Sequence, residues 1–299
     1  MATTIRTMES FKVMFDEALE ACAGLKGYSI TQQIVNKNGR ELHGYIVRVP
    51  EERIAPVFYL EDFFDKHSRG ESVDECVDSI VSFMRKFKTN KPSNVTDKFL
   101  NWESAKSHVE FFLVPSKKED LSNTPYESFY DMSIIAKIYI ENEPGIGTGA
   151  IKVDNALMEI WGIDKQTLFD AARQNTERCG VHTFQLSSMF CEEEEMDGAP
   201  EVLVIALGGS RRDAYGATVL CCDMLKDFVK NSGKSWYVMP VSIHEVLLIE
   251  HEVPLDCVIG MFNGIITDKS LSEDSLSNQL FVLDSDGRLL PSKVVNCAG

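Results

Sequence analysis

The chain has 299 residues, 44% of them apolar and 25% charged, which are the proportions of a globular chain and not of a disordered one. Its formal net charge of −16 repels nucleic-acid phosphates, so direct nucleic-acid reading is not expected. No apolar run reaches the ~18 residues of a membrane span, and the first residues lack the basic-then-apolar order of a secretion signal, so the expected location is the cytoplasm without membrane contact.

The periodicity predicts a first helix over residues 8–23. Met8, Phe11, Met14, Phe15, Ala18, Leu19 and Cys22 recur at three- and four-residue spacing and make one apolar face. Residues 28–35 and 42–49 read as two strands. Asn36 to Gly39 forms the hairpin turn between them, because Asn and Gly tolerate positive φ. Residues 55–60 are a strand or a helix entry. Ser72 and Glu75 have capping-box spacing and open a helix with Val73, Cys76, Val77, Ile80, Val81, Met84 and Phe87 on one face.

Residues 109–114 read as a strand, and a second begins at Met132. Gly145-Ile-Gly147 is too short for a dinucleotide loop. Two short helices follow, with Asp154 and Asp164 as N-caps and Gly162 between them. The run Glu192 to Glu195 has the character of a surface linker, which divides the chain into expected subdomains 1–195 and 196–299. Beyond it the pattern is strand 202–207, helix 213–230, strands 235–239 and 246–249, helix 254–266, and a hairpin around Asp286-Gly287. The expected fold is therefore α/β (α+β), with mixed sheets, packed helices and a C-terminal β-α-β-β-α-β-β unit.

Two constellations carry candidate chemistry. Ser242, His244 and Glu245 place a nucleophile, a base and a carboxylate within four residues, the residue types of a hydrolase. On a strand, Glu245 would face away from the other two. On a helix, Ser242 and Glu245 would simply cap it. Ser210, Arg211 and Arg212 follow Gly208-Gly209 between a strand and a helix, where backbone amides and guanidinium groups suit an anion.

Cysteine and histidine invite other readings. His244 and His251 miss the spacing of a zinc protease, and Cys179, His182 and Cys191 supply only half of a zinc site, so no metal and no other cofactor is expected. The eight cysteines include no Cys-x-x-Cys pair and lie mostly in apolar runs. Vicinal Cys221 and Cys222 read as packing, and all eight are expected as thiols.

A resemblance adds to this. The segments Ile54 to Leu60, Phe129 to Ser133, Leu157 to Gly162, Tyr215 to Ala217 and Trp236 to Leu248 keep their order across most of the chain. In them the chain resembles an uncharacterised domain-of-unknown-function family of gut anaerobic bacteria and their mobile elements. The resemblance implies a bacterial or phage origin and brings no catalytic residues. Three functions stay open. The first is a non-enzymatic cytosolic binding or regulatory protein with a protein partner, for which a homodimer is one available assembly. The second is a hydrolase using Ser242, His244 and Glu245 on an anionic substrate. The third is an acidic mimic of nucleic acid.

Overall fold

A computed structural model describes residues 7–37, 40–50, 55–90, 97–143, 147–186, 202–208, 216–267 and 275–294. The chain divides into two compact units, Met1–Asn101 with Ile140–Gly149, and Trp102–Tyr139 with Ala150–Gly299. The expected boundary at 195/196 lies outside the described residues. The fold is α+β, and the strand pairs with a described register are antiparallel.

In the first unit, α1 (Met8–Ala21), α2 (Leu60–Ser68) and α3 (Val73–Asn90) pack with the sheet β1-β2-β3 (Ser29–Lys37, Arg40–Arg48, Val57–Tyr59). Alternation along β2 turns Tyr45 and Val47 into the core, and Val49 just beyond it follows; there they meet Phe11, Phe15, Leu60, Phe63, Ile80 and Met84. The Phe15 ring lies 5.3 Å from Tyr45, edge-on, and 5.1 Å from Phe63. Such rings bury large apolar areas and hold defined geometry. The capping box opens α3 as expected. Glu75 N donates to Ser72 Oγ at 3.2 Å, and Ser72 N donates to Glu75 Oε2 at 2.8 Å.

The second unit begins with α4 (Trp102–Ala105) and β4 (Val109–Pro115). Strands β5 (Tyr126–Phe129), β6 (Met132–Glu143) and β7 (Gly147–Lys152) follow, the last two shared in sequence with the first unit. These four strands make one sheet, with β6 between β4 and β5 and β7 also pairing with β6. Helices α5 (Asn155–Trp161) and α6 (Lys165–Cys179) start at the expected caps. Asp154 accepts from Leu157 N, and Asp164 accepts from Thr167 N, each at 2.8 Å. Gly162 ends α5 at φ 65°.

The other sheet has the order β13-β12-β10-β11-β9-β8. Its strands are β8 (Val181–Gln185), β9 (Val202–Leu207), β10 (Trp236–Pro240), β11 (Val246–Glu250), β12 (Gln279–Leu283) and β13 (Leu289–Val294). With α7 (Leu225–Ser232) and α8 (Leu255–Thr267), the C-terminal order is the expected β-α-β-β-α-β-β. Val258, Phe262 and Ile266 of α8 pack on Met239, Val241, Leu247 and Ile249. Each such fully buried side chain contributes ~2 kcal/mol of transfer free energy. Strand β8 was not anticipated, and it pairs with β9.

One expected helix is shorter in the fold. Residues 216–221 form a 3-10 turn, and α7 begins only at Leu225. All six residues of that turn are buried, and it contacts β4 and β9. An amphipathic helix keeps one face in water, and a segment enclosed on every side does not.

Candidate functional site

Ser242, His244 and Glu245 lie in the turn between β10 and β11, neither on a strand nor on a helix. Ser242 is 7% exposed, and its Oγ accepts from His244 N and Glu245 N, both at 3.1 Å. Glu245 O in turn accepts from Val241 N at 3.0 Å and Ser242 N at 3.1 Å. This is a serine-centred turn, in which the hydroxyl does what a backbone carbonyl otherwise does. His244 is exposed, while its carbonyl accepts from Gly216 N at 3.0 Å. The turn is further held by Leu276 N donating to Val241 O at 3.1 Å. The hydroxyl thus serves the turn's own amides.

Ser242→Ala is expected to lower stability by ~1–2 kcal/mol, since two amides lose their acceptor in a buried turn. His244→Ala is expected to cost less than Ser242→Ala, because the side chain is exposed and the amide that Ser242 Oγ holds is kept. Urea denaturation of the two variants checks this contrast.

Ser210, Arg211 and Arg212 lie outside the described residues, as does Cys191. Cys179 Sγ donates to Asn175 O at 3.6 Å, and the His182 ring sits 6.1 Å from Phe184. Among the described residues no three His, Cys, Asp or Glu side chains are grouped as metal ligands. Burial pushes the Cys221 thiol well up and the Cys222 thiol up to about 12, with the Glu177 carboxylate adding to the latter. Thiols held in that form are poor nucleophiles.

Two polar groupings in the first unit join residues far apart in sequence. Asp16 Oδ1 accepts from Tyr45 OH and from Gln32 Nε2, the latter at 3.0 Å. Lys12 Nζ donates to Asp16 Oδ2 at 2.6 Å and to Gln32 Oε1 at 2.9 Å. Beside them His43 Nδ1 lies 2.8 Å from Glu61 Oε1, and His43 N donates to the same carboxylate at 3.1 Å. The carboxylate at the start of α2 therefore fixes the imidazole by both ring and backbone. The Lys12–Asp16 spacing of four on α1 was visible, but the strand partners come from 16 to 29 residues away.

Tyr45 is 1% exposed, and its phenol is pushed above the ordinary value of 10.0 by burial first and by the Asp16 hydrogen bond second. Below pH ~10 the phenol is neutral in folded and unfolded chains alike. Above it the unfolded chain ionises first, so stability falls as pH rises through that range. Tyr45→Phe is expected to shrink this alkaline loss, read as the difference between wild-type and variant midpoints at pH 9 and 11.

The sheet edges differ in how they are guarded. The edge of β4 is covered by α6: Phe111 N donates to Thr176 Oγ1 at 3.0 Å, and Asn175 Nδ2 donates to Val109 O at 2.7 Å. β13 carries Pro291 and Lys293 and meets β12 with a bulge near Leu280. β3 and β5 have three and four residues. β1 has fewer of these devices: it has no proline or bulge, and its one lysine, Lys37, is its last residue. It runs nine residues in unbroken register with β2 and has no second partner strand among the described residues. Ser29 to Asn36 contains no charge, proline or glycine. Residues 31–34 are exposed, Ile34 by 57%. Natural sheets blunt such edges with lysine, proline, bulges or a covering helix.

Residues 8–285 match a family described as a family of unknown function, DUF5688. The chain belongs to that family. No curated protein and no solved structure matches it. The DUF5688 match runs from α1 into the turn between β12 and β13, so it takes in the Ser242 turn, the His43–Glu61 pair and β1 alike. No helix among the described residues is long and apolar enough to cross a membrane.

Proposed function

We propose that this DUF5688 member is a non-enzymatic binding or regulatory protein of the bacterial cytoplasm, carried by the cell itself or by a phage or mobile element. It acts by contact with another protein chain, and β1 is the edge on which that chain docks. The observation that carries this reading is the long, bulge-free edge of β1, whose one lysine stands at its end, in a chain that covers, breaks or shortens several of its other edges. An extended segment laid along β1 would satisfy its outward amides and carbonyls, and Ile34 offers an apolar side chain at the rim. The use of the Ser242 hydroxyl inside its own turn argues in the same direction, because a nucleophile must be free to face substrate.

Co-purification from cells that make the protein tests this. Wild type is expected to retain a stoichiometric protein partner, another copy included, that Gln33→Lys loses. Retention of the same partners by both forms would overturn the reading, as would a turnover abolished by His244→Ala with the fold intact.

A further inference from the structure

Building on that reading, we infer that the chain docked on β1 is the β1 strand of a second copy, antiparallel across a two-fold axis centred near Gln33. Two copies that each carry −16 repel over most of their surfaces. Association is least opposed where carboxylates are few: Ser29 to Asn36 has none of its own, and the Asp16 carboxylate that reaches Gln32 is paired with Lys12. The strand is also self-complementary in register. It runs from Ser29 to Lys37, so Gln33 is its middle residue and would face Gln33 of the other copy, with no like charges opposed along the uncharged stretch. The pairing would extend β3-β2-β1 into a continuous six-stranded sheet with no open β1 edge. An interface of one strand pair is small, on the order of 1,000 Å² in total, so the dimer is expected to be reversible and concentration-dependent.

Sedimentation equilibrium of the full chain tests this with charge placed at the centre of the pairing. Wild type is expected to dimerise. Gln33→Lys alone and Gln33→Glu alone are each expected to weaken the dimer by about fivefold, because like charges then face each other. An equimolar mixture of the two variants is expected to restore dimers, which a misfolded variant could not do. A wild-type dimer that is indifferent to both substitutions would overturn the inference by placing the interface elsewhere. A wild-type monomer at all concentrations would overturn it too. In that case the wider reading of β1 as a docking edge stands only if a different protein co-purifies with wild type and is lost from Gln33→Lys.

Discussion

Gly216→Ala is expected to destabilise the second unit by ~3 kcal/mol or more, and to be recovered largely as insoluble protein. A Cβ built on Gly216 falls 2.4 Å from the Ile205 carbonyl oxygen of β9 and 2.5 Å from the carbonyl oxygen of His244. Both contacts are backbone, so no side-chain rotation relieves them, and the sheet or the Ser242 turn has to move. Overpacking a well-packed interior by one methyl group costs 1–3 kcal/mol when side chains can shift, and more is expected when they cannot. The displacement would also pull on Gly216 N and Ala217 N, which donate to His244 O at 3.0 Å and Ile243 O at 3.3 Å. Thermal melts of soluble material, with Gly233→Ala as the comparison, check this. Gly233 has open space around its Cβ position but a φ of 65°, so that variant reports backbone strain without a clash.

Asn175→Ala is expected to cost ~2–3 kcal/mol. Asn175 is 7% exposed, and its amide donates to Lys106 O at 2.8 Å and to Val109 O at 2.7 Å, so one side chain of α6 closes the entry of β4. Its own oxygen accepts from Arg178 Nη1 at 3.1 Å. Truncation leaves two carbonyls without this donor and opens a gap beside a strand whose residues are all buried. Amide exchange should localise the loss, with faster exchange along β4 and unchanged exchange along β1. Uniformly faster exchange would mean that the asparagine supports the whole unit and not one edge.

Local chemistry made much of the fold legible. Ser72 with Glu75, Asp154 and Asp164 act through backbone amides three residues away, so their spacing alone places the starts of α3, α5 and α6. The turn signal at Asn36 to Gly39 separates β1 from β2, and the apolar run from Val109 to Val114 marks β4. The helix expected over 213–230 is shorter for a reason its apolar spacing does not hold: residues 216–221 are a buried 3-10 turn tied by Gly216 N and Ala217 N to the carbonyls of His244 and Ile243. The Ser242 segment is a different case. Its residue types suit a strand or a helix cap, and the segment is a turn whose identity depends on a hydroxyl accepting from two amides. The pairs Asp16–Tyr45 and His43–Glu61 join residues 29 and 18 apart, and no periodicity encodes them. Alternation tells which face of β1 turns inward; only the sheet order tells that β1 ends its sheet.

The most direct test of β1 as the docking edge is photo-crosslinking inside cells that make the protein. A benzophenone side chain would replace Ile34, with the same group at Ile160 on α5 as the control, an apolar position that is 61% exposed and lies on a helix. Position 34 is expected to give one dominant protein adduct, at the mass of a dimer of this chain, and position 160 to give none of comparable yield. Equal labelling from both positions, or no protein adduct from position 34, would contradict the account.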